Sequence, residues 1–271
     1  MQADARVKVT FWGVRGSIPT PQVSHLGYGG NTTCIELNAP GHPPLIIDAG
    51  TGIRLLGRQM APGSKPTILF THFHWDHIQG LPFFAPLFSK QSEVNFVSTQ
   101  APKQLRSILD GLLQAPYHPI NIDAFQAETI FHEMERPRND AGFRITPFEL
   151  NHPQGATGFR MEREGAIVVH ASDHEHGNPQ LDELLYGNSK GADLLIYDAQ
   201  YTPENYGPNC GRGHSTWLEA VKLASKAKVK RLVLFHHDPN HTDADLEAIL
   251  DKARREFPAA ILAREGEELV I

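Results

Sequence analysis

Apolar and polar positions alternate with period two over residues 7–12, and the pattern predicts an opening strand there. Residues 33–37 and 45–47 read as two further strands, and 52–60 is a short helix candidate. A compact apolar strand at 67–70 ends where a run of histidines begins. Residues 102–114 predict a helix, with Leu105, Ile108, Leu109 and Leu112 on one side. Four strands are then expected at 129–132, 143–150, 158–161 and 167–170, several of them antiparallel. The last third changes character. A buried strand at 194–197 leads to a helix over 215–227, a second buried strand at 231–235 and an amphipathic helix over 243–257. Short strands near Ile261 and Leu269 close the chain. Strands followed by helices, twice over, predict an α/β protein in which two sheets pack together with helices outside. No repeat, low-complexity tract or linker interrupts residues 1–271, which are expected to form one domain.

The strand at 67–70 runs into Thr71-His72-Phe73-His74-Trp75-Asp76-His77. His72 and His74 leave it on the same side, because extended chain alternates with period two. If the chain then turns into a helix, Asp76 and His77 start it and face back toward the same cavity. Three imidazoles and a carboxylate suit zinc, manganese or iron, whereas calcium and magnesium prefer oxygen shells. With 15 histidines in 271 residues, such a pattern arises by chance roughly 0.002 times per chain. Chance is a poor explanation.

Six residues do not complete a hydrolytic metal site, so later donors are needed. His152 follows the strand at 143–150, Asp173 follows 167–170, and His236 ends 231–235. Loops just past strand ends are where sheet enzymes commonly place such groups. His237 competes with His236, but adjacent strand residues face opposite sides, so only one reaches a metal. Asp48, at another strand end, reads equally as a carboxylate orienting a ligand imidazole or as a turn residue before Ala-Gly. The glycine-rich stretch around Tyr28 and Asn31 is either an ordinary turn or a loop whose Asn31 or Tyr28 touches substrate.

The formal net charge of −6 argues against a protein that grips long nucleic acid on a broad basic surface. No apolar run is long enough to span a bilayer, and the N-terminus enters its first strand without a signal-peptide core. The two cysteines, Cys34 and Cys210, form no zinc knuckle or disulfide framework, so a reducing cytoplasm is expected.

From Phe11-Trp12-Gly13 through Asp48-Ala49-Gly50-Thr51-Gly52 and the histidine run to Phe235-His236-His237-Asp238, the chain resembles the metallo-β-lactamase superfamily. The resemblance implies a four-layer αββα sandwich with two divalent ions, zinc or manganese, at the sheet edges. It implies one ion on His72, His74 and His152, a second on Asp76, His77 and His236, and Asp173 bridging both. His236 is favoured over His237 on the same ground.

Gly213-His214-Ser215-Thr216 precedes the helix expected over 215–227, with Ser215 or Thr216 as its cap, so His214 lies at the positive helix end. Free backbone N–H groups there, with His214, suit an anionic substrate. The segment is similar to the His-Ser-Thr segment of the phosphodiesterase branch, which includes the tRNA 3′-processing endonuclease, ribonuclease Z. That similarity implies contact between His214 and the scissile phosphate. Ribonuclease Z usually carries a long arm after the third ligand segment. Here only about twenty residues, read as a hairpin, separate His152 from Asp173. Small phosphodiesters, cyclic nucleotides foremost, are therefore the expected substrates. The expected reaction is attack by a hydroxide shared between the ions, with Asp76 and His214 as catalytic residues and His214 as phosphate stabiliser or general acid. The rivals are a tRNA-end endonuclease, a lactone, thioester or cyclic-phosphate hydrolase, and a non-catalytic sensing module. No membrane partner is expected, and a homodimer is compatible with the sequence.

Overall fold

The computed structural model describes residues 6–271. The first half contains strands β1 (Lys8–Gly13), β2 (Cys34–Asn38), β3 (Leu45–Ile47), β4 (Thr67–Leu69), β5 (Glu93–Ser98) and β6 (Glu128–Glu133). Helices α1 (Ile53–Gln59), α2 (Trp75–Ile78) and α3 (Pro102–Leu112) lie between them. The second half supplies β7 (Arg138–Asp140), β8 (Phe143–Leu150), β9 (Ala156–Arg163), β10 (Ala166–Ala171), β11 (Leu194–Asp198), β12 (Arg231–Phe235), β13 (Ala260–Leu262) and β14 (Glu268–Val270). Its helices are α4 (Pro179–Ser189), α5 (Pro203–Tyr206), α6 (Trp217–Ala227) and α7 (Asp243–Glu256). One sheet has the order β14-β1-β2-β3-β4-β5-β6 and the other β13-β12-β11-β10-β9-β8-β7. The last strand thus returns to the first sheet.

Alternation decides which side each residue serves. In β3, Leu45 and Ile47 face the second sheet, whereas Ile46 faces α1 with its buried Ile53 and Leu56. In β12, Val233 and Phe235 point between the sheets, while Leu232 and Leu234 pack under α6 and α7. Leu105 and Leu109 of α3 cover the outside of the first sheet, and Val221, Ile249 and Leu250 cover the second. Each such side chain contributes about 2 kcal/mol of burial. The result is the four-layer αββα sandwich that the resemblance implies.

Strand direction then gathers chemistry at one edge. β3, β4, β5 and β6 run parallel, as do β10, β11, β12 and β13. β8 and β9, then β9 and β10, pair antiparallel, so β8 runs the same way as β10. The carboxyl ends of β3, β4, β8, β10, β11 and β12 therefore open at the same end of the sandwich, where open sheets place ligands. The β9–β10 hairpin turns on Glu164 and Gly165, both with positive φ, as tight two-residue hairpins require.

β5, β7, α4 and α5 do not emerge from the hydrophobic pattern. β5 interleaves Glu93 and Asn95 with buried Val94 and Phe96, so its apolar positions are few. α4 buries only Leu185 and Ser189 and is started by local signals instead: Asn178 accepts from the N–H groups of Gln180 and Leu181, and Pro179 opens the first turn. No helix among the described residues is long and apolar enough to cross a membrane.

A titratable ring sits within the inter-sheet layer. His170 of β10 is buried against the Phe235 ring, and that burial pushes its pKa down to about 3. The folded value lies below the unfolded one, so the neutral ring's contribution is complete above about pH 6.5 and is lost as pH falls toward 3. Between pH 6.5 and 5 this loss is about 2 kcal/mol. Urea unfolding of His170→Phe should show a shallower loss of stability over that interval than the native chain, and an equal slope would refute the assignment.

Candidate metal centre

His72 and His74 leave β4 in extended chain, and His74 is the N-cap position of α2, which carries Asp76 and His77. His152 follows β8, Asp173 follows β10 and His236 follows β12. The fold brings all seven together. Donor atoms of His72, His74 and His152 lie within 4.8 Å of one another, and so do those of Asp76, His77 and His236. Asp173 lies between the two groups. Its Oδ1 is 3.9 Å from His72 Nε2, 3.8 Å from His152 Nε2 and 3.5 Å from His236 Nε2, and its Oδ2 is 3.3 Å from His77 Nε2.

The surrounding acceptors select the tautomer of each ring. His77 Nδ1 donates to Asp48 Oδ2 at 2.8 Å, His152 Nδ1 to the Gly213 carbonyl at 2.9 Å, and His236 Nδ1 to Gln200 Oε1 at 2.8 Å. His74 donates through Nε2 to Gln154 Oε1 at 3.0 Å. The Thr71 hydroxyl gives its proton to Asp48 and accepts from His72 Nδ1 at 3.0 Å. Each ring's other nitrogen is left with a lone pair aimed at the centre. Two of these, His72 Nε2 and His77 Nε2, are buried with no hydrogen-bond partner. His74 Nδ1 and His152 Nε2 face one another at 3.1 Å. Opposed lone pairs at that distance repel unless a cation answers both. Burial, together with neighbouring imidazoles, lowers the pKa of His72 and His152, so protonating them is a costly answer. Neutral imidazoles and ionised carboxylates with lone pairs converging form a donor set that fits divalent transition metals.

The carboxylates match. Burial opposes charge on Asp173 and Asp76, yet positive charge at the His236 and His77 rings holds both well below the usual carboxylate range, and the carboxylates in turn raise the His77 pKa; bound divalent ions would supply that positive charge once the rings are neutral. Asp76 Oδ2 also accepts from Ser17 N–H at 2.7 Å. Backbone conformation helps aim these groups. Ser17, Asp48, Gln154, Asp173 and His236 all have φ between 60° and 66°, in the left-handed region that non-glycine residues seldom enter. Such strain persists where surrounding structure over-determines it, and here it turns each residue back from its strand end toward the cluster.

His214 stands at the rim of the same cluster, its ring 4.9 Å from that of His236 and 5.3 Å from that of His152. Its Nδ1 donates to Asp198 Oδ2 at 2.8 Å. Burial disfavours the charged ring, but Asp198, with Asp173 and Asp76 beyond it, raises the pKa to about 9. Thr216 is the cap of α6 and accepts from Glu219 N–H. Several N–H groups at this helix end are already engaged: Ser215 N–H by Asp198 and Trp217 N–H by the Tyr201 carbonyl.

Other sequence candidates separate clearly. His237 points away, donating from Nε2 to the Ala263 carbonyl. Asn31 bonds through its backbone and its amide to Glu265, and Tyr28 bonds to Glu247. Both pin loops rather than face the centre. Asp48 is fully engaged by His77 and Thr71. Sequence reasoning missed Asp198, which is fully buried and also accepts from the N–H groups of Asp173 and Gln200. The signal was available, since Asp198 ends a buried strand as Asp173 and His236 nearly do. Gln154, Gln200 and Ser17 carry no such signal.

The model of the beta-lactamase superfamily domain matches residues 45–237. Ribonuclease Z of Natronomonas pharaonis is 25% identical over 280 residues, covering 85% of this chain and 86% of the relative. The metallo-beta-lactamase fold protein YhfI from Bacillus subtilis superposes with TM-score 0.75 at 20% identity, covering 99% of this chain and 100% of its own. A diphosphatase from the PhnP family does so with TM-score 0.71 at 18% identity, covering 98% and 97%.

Removing the carboxylate that orients His77 should loosen metal without unfolding the chain. Asp48→Ala is expected to give up Zn2+ or Mn2+ to a competing chelator about 10- to 100-fold more readily than the native protein. Elemental analysis after chelator titration reads this, with circular dichroism as the control for folding. Unchanged retention would contradict the role given to Asp48.

Proposed function

We propose that this chain, which belongs to the beta-lactamase superfamily, is a dinuclear metal-dependent phosphodiesterase acting on small phosphodiesters, cyclic nucleotides foremost. The observation that carries the reading is His214. A buried carboxylate, Asp198, holds its Nδ1, and its Nε2 has no protein partner among the described residues. A metal-binding role alone does not require an acid placed beside the ligands. A proton donor at that position serves a reaction in which an oxygen leaves.

One ion would be held by His72, His74 and His152, a second by Asp76, His77 and His236, with Asp173 shared. Bound divalent ions supply a nucleophile from water at neutral pH and neutralise charge on a phosphoryl oxygen. The chain's own residues do the rest. Asp48, Gln154, Gln200 and the Gly213 carbonyl keep the ligand rings in the tautomer that faces inward. Ser17 N–H fixes the Asp76 carboxylate. As water's oxygen bonds to phosphorus and the bond to the ribose oxygen breaks, His214 passes its proton to that leaving oxygen, and Asp198 stabilises the ring while it is charged.

Two features favour small substrates over RNA. A cavity of about 420 Å³ adjoins His72 and His74 and is lined by Phe73, Phe148, Met134, Gln100 and Gln154, with no lysine or arginine. That is the size of a small-ligand site. The stretch between His152 and Asp173 is filled by the β9–β10 hairpin rather than by a projecting arm. Similarity to ribonuclease Z keeps a tRNA-end endonuclease as the second reading.

A panel of bis(p-nitrophenyl) phosphate, 3′,5′- and 2′,3′-cyclic nucleotides and a tRNA precursor, each with zinc and with manganese, tests the assignment. Cleavage of the precursor alone would overturn it. His214→Ala should lower kcat by about 10²- to 10⁴-fold at unchanged metal content. Equal loss of metal and of turnover would remove the acid role.

A further inference from the structure

A second cavity, of about 290 Å³, opens on the opposite side of the centre from His72 and His74. Three of its lining residues hold that centre directly. Ser17 donates to Asp76 at 2.7 Å, Gln200 accepts from His236 at 2.8 Å, and the Tyr201 ring stands edge-on to His214 at 5.9 Å. A group in this cavity is therefore continuous with one bound at the metals.

The lining offers several unused donors. Arg212 is exposed, and its guanidinium makes no ion pair or hydrogen bond with any described residue. Asn205 uses its side-chain oxygen on Thr202 N–H, leaving its NH2 group free to donate. The Tyr201 hydroxyl accepts from Gln200 at 3.4 Å, leaving its own proton free. One oxygen of the lining carboxylate, Asp238, accepts from the backbone and amide N–H groups of Asn240. The cavity beside His72 and His74 has Glu135 and Glu149 in its wall, and that beside His152 has Glu175, and neither contains lysine or arginine. Of these three openings, the Arg212 cavity alone has a lysine or arginine in its wall.

We propose that the Arg212 cavity binds a second anionic group of the substrate, a terminal phosphate carried beside the scissile phosphodiester. The proposal rests on the phosphodiesterase reading and sharpens it: among linear small phosphodiesters, a short nucleotide with a phosphate at one end is bound more tightly than one without it, and its uncharged portion lies toward His72 and His74. An unpaired guanidinium offers a planar fork of donors that a phosphate matches with two bonds, and the neighbouring amide and phenol add donors without adding charge. Because Arg212 is exposed, solvent screens part of the attraction.

The test uses the metal-loaded full chain and two uncleavable ligands. These are the methylene-phosphonate analogue of ApA, with and without a 5′-phosphate, and binding is measured by titration calorimetry. In the native protein the 5′-phosphate should tighten binding about tenfold, a gain that shrinks as salt rises. Arg212→Gln should reduce the gain to about twofold or less, and Arg212→Lys, which keeps the charge but not the fork, should retain part of it. No gain in the native protein overturns the subsite, as does a gain that survives in Arg212→Gln or an equal weakening of both ligands. Hydrolysis of ApA and pApA, followed separately, reports on the phosphodiesterase reading. No turnover with the Arg212-dependent gain intact would sink that reading and leave the subsite standing.

Discussion

Buried imidazole nitrogens aimed at one another are the constraint on which the site depends. His72 Nε2 and His77 Nε2 have no partner, and His74 Nδ1 opposes His152 Nε2. A protein interior tolerates such groups only when something answers them, because an unsatisfied buried polar atom costs about 1–3 kcal/mol. Protonation is a poor answer for His72 and His152, since burial disfavours the charged ring. Divalent cations answer all of these groups at once. Bound ions would recover part of the cost of holding these donors in place.

The shell around the donors serves one purpose, to make each ring point inward. It is built from unlike parts: a carboxylate for His77, a hydroxyl for His72, amides for His74 and His236, and a carbonyl for His152. The left-handed residues among them show what this costs in backbone strain. Arg15 supports the same end of the molecule from behind. Wholly buried, it bonds to the carbonyls of Gly29, Asp238 and His241, and so ties the loop bearing Ser17 to the loop after His236. Asp76 and His236 are in this way held to each other through the backbone as well as through the cluster.

Much of the fold is legible along the chain. β8 and β12 have the bounds that alternation predicts, and α3, α6 and α7 lie within a few residues of theirs. Where the pattern is thin it fails, as for β5, whose polar positions interrupt the apolar ones, and for α4, whose inner face is only two residues wide. Tertiary packing stabilises β5, and the Asn178 cap with Pro179 starts α4, neither of which a hydrophobic period records. Of the site, the seven residues proposed as ligands stand out because their chemical types cluster or follow strand ends. Asn31 shows the limit of that reasoning. A polar residue in a glycine-rich loop looks available, and its engagement by Glu265, far along the chain, is invisible in the sequence.

The histidine run at residues 72–77, the strand ends bearing His152, Asp173 and His236, and the two-sheet pattern were determined by the sequence alone, because each is written in residue type and local period. Which nitrogen of each ring faces inward, that His237 turns away, that Asp198 holds His214, and that Arg212 is left unpaired in the cavity it shares with Ser17 and Gln200 were decided only by the tertiary structure. Tautomers, pairings and open charges depend on acceptors distant in the chain, and only folding sets those distances.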